Sequence, residues 1–318
     1  MATDQEQLLD AALRAAKAAT VSPDVVQLVD TTAEAAQDDL TTAVEIKPTR
    51  TFPAIADLPL EKNRDGKYVW RKLEDAAVVL TDLKSSTAVS YSKQDRIGAR
   101  LYQASTGGCS RVLQDFAPDF VDIQGDGLFA IFCGDRNIER AMCAAVTLNS
   151  FGKRLRSMLK EQFGDDVPEM KDSGLKVGAD RGILLVKKIG VRGDHNEPVW
   201  AGKPVNYAAK CAQAADAGSI LVTSRFFKDF LDNQYVRYSC GCVNGAPGDG
   251  ASPLWLKSTI DALGEDGNVR ELESSWCKHC GTKFARAILK GEKDRGLNTG
   301  ELKKWREPPA EAGASDGG

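Results

Sequence analysis

The sequence predicts an α/β protein with a mixed sheet and a small cysteine-rich module near its C-terminus. Strand-like and helix-like stretches alternate from about residue 76 onward, which is typical of sheets covered by helices. Within FVDIQGDGLFAIF, apolar alternation on both sides of Gly-Asp-Gly predicts two strands and a tight turn. Four of the 8 cysteines lie close together late in the chain, which predicts the module.

The elements of the main domain are predicted in order from their apolar spacing. AAVVLTDL indicates a strand, and the stretch from Ala88 to Phe116 indicates a helix. After the hairpin, ERAMCAAVTLNSFGKRLRSMLKEQF indicates a long helix and GLKVGADRGILLVKK a strand pair. They are followed by a helix in PVNYAAKCAQAA, a strand in GSILVT and a closing helix in RFFKDFLDN.

The regions outside the main domain differ from it in composition and in the spacing of their apolar residues. Residues 4–19 and the apolar residues around Val25 predict two short amphipathic helices, which either pack on the main domain or contact a partner. From Lys47 to Asp65 the proline-punctuated chain predicts a connecting segment. We therefore divide the chain into four regions. They are a helical segment and linker (1–50), a main domain (51–235), a cysteine-rich module (236–295) and a disordered tail (296–318).

Composition excludes several classes of protein. The 318 residues are 42% hydrophobic and 27% charged, as in globular proteins, and the formal net charge of −3 provides no basic field for nucleic acid. No apolar run approaches the roughly 20 residues that span a bilayer, and the N-terminus is acidic where a signal peptide is basic. We expect a cytoplasmic protein whose cysteines are reduced thiols or metal ligands.

Two aspartates predict a metal site. Asp82 stands where an apolar strand stops, and Asp126 lies in the hairpin turn, so a sheet that pairs these strands brings both carboxylates to one edge. Adjacent acids repel unless a divalent cation such as Mg²⁺ or Mn²⁺ lies between them. The small hydroxyl residues after Asp82 favour a phosphate at a helix start. Metal and anion together indicate nucleotide chemistry.

In order, these motifs resemble the catalytic domain of class III nucleotidyl cyclases, the adenylate and guanylate cyclase family. The resemblance is carried by VVLTDLKSST, FVDIQGDGLFAIF, LKVGADRGILLV, GKPVNYAAK and GSILVTSRFFKDFL, over about residues 76–232. It implies a mainly antiparallel sheet and a homodimer with active sites between the subunits. It also implies an intramolecular transfer of the α-phosphoryl group with two Mn²⁺ or Mg²⁺ ions per site.

The resemblance implies a role for each matching residue. Asp82, Asp126 and the backbone carbonyl of Leu83 match the metal ligands, and Ser85, Ser86 and Thr87 match the triphosphate loop. Asn206 matches the residue that orients the ribose, and Lys210 replaces the arginine that stabilises the transition state. Lysine supplies the charge without the rigid guanidinium fork, and a solvated helix lysine is the alternative interpretation.

The base-reading positions depart from both purine patterns of the family. They hold Asp122 and Val199, where adenylate cyclases have lysine and aspartate and guanylate cyclases have glutamate and usually cysteine. An ionised Asp122 only accepts hydrogen bonds, so it suits uracil, guanine or an amino group of cytosine. Phe120 shares its strand face and would narrow the pocket toward a pyrimidine; a solvated face or a dimer seam is the alternative.

The chain therefore resembles the uridylate and cytidylate cyclases of bacterial Pycsar antiphage defence. This implies UTP in preference to CTP as substrate, and a separate effector that responds to the cyclic nucleotide. The alternatives are a guanylate or adenylate cyclase with atypical base recognition, and a non-catalytic cyclase-like module that dimerises or senses nucleotides.

The late cysteines form two close pairs, Cys240 with Cys242 and Cys277 with Cys280. Four thiolates in this pattern suit a closed, structural Zn²⁺ site, with ordinary reduced thiols as the alternative. The module would replace the family's terminal hairpin, which leaves Lys203 and Lys257 as candidates for contact with the terminal phosphates. His195, His279 and the remaining cysteines, Cys109, Cys133, Cys143 and Cys211, show no pattern of a nucleophile.

Overall fold

The computed structural model describes residues 24–86, 95–163, 172–190, 196–242 and 250–299. These residues separate into two compact units, and the first comprises 24–45 and 61–69. It contains α1 (Val25–Thr41), a longer helix than the short turn predicted there, with Asp24 as its N-cap. No residue of α1 is buried. The helix predicted at 4–19 lies outside the described residues.

The second unit comprises 46–60 and the described residues from 70 onward. The strands of the two units together are β1 (Val44–Thr49), β2 (Tyr68–Lys84), β3 (Phe120–Gln124), β4 (Gly127–Phe132), β5 (Gly174–Gly190), β6 (Asn196–Ala201), β7 (Ile220–Thr223), β8 (Leu256–Thr259) and β9 (Asn268–Leu272). The helices are α2 (Asp95–Gln114), α3 (Asn137–Phe163), α4 (Lys203–Ala214), α5 (Ser224–Phe227), α6 (Gln234–Arg237) and α7 (Gly281–Lys290).

The sheet runs in the order β3-β4-β2-β5-β7-β9-β8, and β6 also pairs with β5. Only the pairing of β5 with β7 is parallel among the pairings that join these strands in the described residues. The prediction of a mixed, mainly antiparallel sheet is therefore confirmed. The strand pair predicted in GLKVGADRGILLVKK is wrong, because β5 is one continuous strand and its hairpin partner is β6.

Each face of the sheet has its own apolar core. One face packs against α2 and α3, where Val79, Phe132 and Val177 are fully or almost fully buried. The opposite face carries Val78, Ile131 and Leu184 together with Ala208 of α4. Fully buried apolar side chains contribute about 1.5–3 kcal/mol each, so these two layers account for much of the stability of the sheet.

Two predicted segments, a connection and a closing helix, have a different secondary structure from the one that the sequence indicates. The segment from Lys47 contributes to β1, and the predicted closing helix is the four-residue α5 followed by a 3₁₀ turn, Lys228–Phe230. Within the described residues, no helix is both long enough and apolar enough to cross a bilayer.

Candidate functional site

The two predicted metal ligands, Asp82 and Asp126, line one cleft. Strand β2 pairs with β4 so that Thr81 faces Leu128, and the two-residue turn that carries Asp126 joins β3 to β4 next to this point. The cleft has a volume of about 230 Å³. Strand β2 continues to Lys84, so Asp82 lies two residues before the end of the strand rather than at its end.

The surroundings of the Asp82 side chain disfavour the charged form of its carboxyl group. Its half-buried position raises its pKa, and the negative charge of Asp126 raises it further. Lys176 acts in the opposite direction, since its Nζ lies 3.7 Å from Asp82 Oδ2. Two carboxylates that interact in this way are the hard oxygen donors that Mg²⁺ and Mn²⁺ prefer, so the residues present fit a divalent cation.

Lys176 lies beside the predicted metal ligand Asp82, and sequence reasoning missed it. It pairs with Asp82 across the β2–β5 ladder, and its Nζ also donates to the backbone carbonyl of Gln213 at 2.6 Å. Its side chain is only 14% exposed, so the ammonium beside Asp82 is largely shielded from solvent. The register between two distant strands was the missing information.

The residues after Asp82 begin the predicted phosphate loop. The side chain of Leu83 belongs to the core, Ser85 has the positive φ of 68°, and Ser86 is buried. A non-glycine residue in the left-handed region is uncommon and is found disproportionately at ligand-binding positions. Thr87 lies outside the described residues, as does His195.

Helix α4 borders the cleft, but not with its predicted catalytic residues. Ala209 and Gln213 line the cleft, whereas Asn206 is exposed and Lys210 Nζ donates to the backbone carbonyl of Ala262 at 2.7 Å. A Cβ at Gly178 would lie 2.0 Å from the Ala208 carbonyl, so this glycine permits the close approach of α4 to β5. Within the described residues of this chain, neither Asn206 nor Lys210 lines the cleft that contains Asp82 and Asp126.

The predicted base-reading residues lie on β3 and β6. Asp122 accepts a hydrogen bond from Gln124 Nε2 at 2.9 Å, and Val199 is 39% exposed on β6. The Phe120 ring lies 4.8 Å from that of Trp200 and 5.8 Å from that of Phe129.

Phe52 joins this aromatic group from a segment that the sequence indicates only as a connection. Its ring stacks on Trp200 at 5.6 Å and on Phe120 at 6.4 Å. Phe120 therefore packs among three rings, which fixes its orientation more firmly than its place on the strand predicts.

The four late cysteines converge. The Sγ atoms of Cys240, Cys242, Cys277 and Cys280 all lie within 4.8 Å of one another, and those of Cys242 and Cys280 are 3.6 Å apart. A tetrahedral site with Zn–S bonds of about 2.3 Å requires sulfur atoms about 3.8 Å apart. The cluster therefore fits a four-coordinate metal ion.

Backbone geometry favours thiolate at one member of this cluster, Cys277, whereas the hydrogen bond with Cys240 raises the pKa of the Cys242 thiol and burial raises that of Cys280. The N–H groups of Cys280 and His279 point at the Cys277 sulfur and lower the pKa of its thiol to about 7. Cys280 precedes α7, and Trp276 anchors the segment to α3 through hydrogen bonds to Ser150 and Thr147 at 2.9 and 2.8 Å.

A two-stranded hairpin, β8–β9, lies between the cysteine pairs and extends the sheet through β7. The expectation that the cysteine module replaces a terminal hairpin is therefore wrong. Lys257 lies on β8 and is exposed, and Lys203 on α4 forms an ion pair with Asp266 at 2.8 Å.

Comparison with known proteins identifies the family. A uridylate cyclase from Micromonospora echinofusca is 40% identical over 264 residues, which are 79% of this chain and 82% of that protein. One from Propioniciclava tarda is 41% identical over 231 residues, or 72% of this chain and 73% of that protein. The chain belongs to the uridylate cyclase family. No family model matches it.

The structural comparison agrees on the fold of this uridylate cyclase family member. The adenylyl cyclase CyaB from P. aeruginosa matches with a TM-score of 0.50 at 15% identity, over 65% of this chain and 96% of that one. The predictions of a class III cyclase fold and of a nucleotide cyclase are confirmed.

Proposed function

We propose that the protein is a dimeric, metal-dependent cyclase that converts UTP, in preference to CTP, to the 3′,5′-cyclic monophosphate and diphosphate. Membership of the uridylate cyclase family carries this proposal. The cleft shared by Asp82 and Asp126 supports it, because two acids at one cleft are expected where divalent cations bind.

Asp82, Asp126 and the backbone carbonyl of Leu83 would hold the cations. Bound Mg²⁺ or Mn²⁺ would neutralise phosphate charge and lower the pKa of the attacking ribose hydroxyl. Lys176, beside Asp82, would attract the triphosphate and balance part of its charge. The loop of Ser85, Ser86 and Thr87 would donate hydrogen bonds to phosphate oxygens.

Asn206 and Lys210 would complete the site from the partner subunit. Asn206 would orient the ribose, and the ammonium of Lys210 would stabilise charge that builds up on the α-phosphate. Their position outside the aspartate cleft of their own protomer supports a site shared within a homodimer.

Asp122 would select the base by accepting a hydrogen bond from the ring N–H of uracil. Phe120, held among Phe52, Phe129 and Trp200, would narrow the pocket, and Val199 would contribute neither donor nor acceptor. A Phe120 ring packed in this way would leave less room for a purine than for a pyrimidine.

The cluster of four cysteines would bind a structural Zn²⁺ ion. Four thiolates are a typical zinc ligand set, and a site closed by four protein ligands leaves no coordination position for catalysis. Its role would be to hold the start of α7 to the segment before β8.

The biological setting rests on resemblance to the Pycsar cyclases. The product would act as a second messenger in the cytoplasm and activate a separate effector during antiphage defence. Infection-dependent accumulation of the cyclic nucleotide in cells would test this role.

The decisive experiment for the activity is a nucleotide panel. Purified protein is incubated with Mn²⁺ and each of UTP, CTP, ATP and GTP, and cyclic products are identified by mass spectrometry. We expect cyclic UMP to dominate. A clear preference for GTP or ATP would favour the purine alternatives, for which the acidic Asp122 makes guanine the nearer rival, and no product from any nucleotide would favour a non-catalytic module.

A further inference from the structure

The connection between β8 and β9, Asp261–Asp266, which we call the tip loop, has a defined conformation. Leu263 is buried in a cluster with Cys211 of α4 and Val269 of β9. Gly264 has φ 58° and ψ −129°, a combination that residues with a Cβ rarely adopt. Apolar packing and backbone geometry thus hold the tip loop against α4.

The tip loop also contacts one polar face of α4. Lys203 and the Tyr207 hydroxyl both donate to Asp266 Oδ2, at 2.8 and 3.1 Å. One turn further along the helix, Lys210 donates to the Ala262 carbonyl at 2.7 Å. Residues 203, 207 and 210 follow the spacing that places side chains above one another on a helix.

The Tyr207 ring is surrounded by cationic groups. Lys203 Nζ and Lys210 Nζ lie 5.5 and 5.9 Å from its centroid, and the Arg225 guanidinium lies 4.7 Å from it. Arg225 is itself paired with the fully buried Asp180. The ring is therefore held from several sides, and its hydroxyl fixes the position of Asp266 relative to the helix.

This arrangement bears on the presence of a lysine at position 210, where the resemblance predicts an arginine. A guanidinium is a rigid planar fork, whereas an ammonium sits on a flexible stem of four carbons and loses more freedom when it is oriented. A carbonyl acceptor at 2.7 Å restricts where that stem can place its charge.

We propose that Asp266 and Tyr207 are positioning residues for catalysis: they hold the tip loop so that the Ala262 carbonyl directs the Lys210 ammonium toward the substrate phosphate of the partner's site. This inference rests on the proposed cyclase function and goes beyond it, because it gives Asp266 and Tyr207 an indirect role through Lys210.

The test compares Asp266→Ala and Tyr207→Phe with the wild-type protein in a steady-state assay with UTP and Mn²⁺. Tyr207→Phe removes only the hydroxyl and keeps the ring. We expect each variant to lower kcat about tenfold with little change in KM, because misplacement of a catalytic group affects the chemical step. Asp232→Ala, which removes another exposed acid paired with a lysine, is the matched control and keeps full activity.

A double-mutant cycle separates positioning from a general structural effect. In a Lys210→Ala background, Asp266→Ala should change kcat by less than about twofold, since the group it positions is gone. An equal loss in both backgrounds would overturn the inference, as would unchanged kcat in the single variants. A rise in kcat would also overturn it, because the tip loop would then restrain Lys210 rather than position it for catalysis. If wild-type protein makes no cyclic product, the proposed function itself fails.

Discussion

Lys176 Nζ lies 3.7 Å from Asp82 Oδ2, at a position where these two residues are directly paired across the β2–β5 ladder. The same Nζ donates to the backbone carbonyl of Gln213 on α4. These two contacts place the Lys176 ammonium beside Asp82 in the absence of substrate. Its effect on catalysis should therefore appear in substrate binding.

Replacement of Lys176 should weaken triphosphate binding. We expect Lys176→Met to raise KM for UTP about tenfold and Lys176→Arg to retain most of the affinity, because a charge-assisted contact is worth about 1.5–3 kcal/mol. Steady-state kinetics measure this. Lys188→Met is the control, since Lys188 lies on the same strand with its Nζ directed to the Ala56 carbonyl. Equal KM values for Lys176→Met and wild type would contradict the assignment.

Removal of Asp126 should abolish metal-dependent behaviour. Mn²⁺ with a non-hydrolysable UTP analogue should raise the melting temperature of wild-type protein but not that of Asp126→Ala. Turnover should fall by more than about 100-fold, since even indirect partners of metal ligands are worth 10–100-fold. Asp115→Ala alters an exposed acid after α2 and should behave as wild type. A preserved melting shift in Asp126→Ala would exclude this acid as a ligand.

Local signals in the sequence were sufficient for much of the fold. Apolar alternation around Gly-Asp-Gly predicted the β3–β4 hairpin, and helical spacing predicted α3 and α4. The family motifs predicted that Asp82 and Asp126 lie close together, and both residues line one cleft. These features depend on contacts between residues close in the chain or on motifs of fixed order.

Features that depend on long-range register were not predictable. Lys176 lies inside an apolar strand and acquires its meaning only when β5 is aligned with β2. Phe52 precedes Phe120 by many residues, and nothing local indicates that their rings stack. The β8–β9 hairpin was missed because its short strands lie between cysteine pairs that dominate the pattern.

Loss of the Asp122 carboxylate should reduce the preference for UTP. Asp122→Ala removes the acceptor proposed for the uracil N–H, and an unsatisfied buried donor costs about 1–3 kcal/mol, or roughly 5–150-fold in kcat/KM. The ratio of kcat/KM for UTP over CTP should fall accordingly. Glu197→Ala, at an exposed acid on β6, should leave the ratio unchanged. An unchanged ratio in Asp122→Ala would mean that another group reads the base.

Substitution of Cys277 and Cys280 by serine should remove the metal from the cysteine cluster. Elemental analysis should find about one zinc per wild-type chain and none in the double variant, whose melting temperature should also fall because structural zinc contributes folding energy. His279→Ala, between the two cysteines but outside the cluster, should retain the metal.

Thiol labelling gives an independent measure of this metal site. A chelator should make the four cluster thiols reactive, while Cys109, Cys133 and Cys211 stay protected, because burial raises the pKa of each of these thiols to about 12. Wild-type protein purified without chelator and free of zinc would contradict the assignment.

The central claim is that each active site combines the aspartates of one subunit with Asn206 and Lys210 of the other. It is tested most directly by mixing Asp126→Ala and Lys210→Ala protein, each with only a small residual activity alone, under conditions that allow subunits to exchange. Random assortment makes half of the dimers mixed, each with one intact site, so the account predicts recovery of about a quarter of wild-type activity. No recovery, with exchange verified by mass spectrometry of differently tagged subunits, would contradict it.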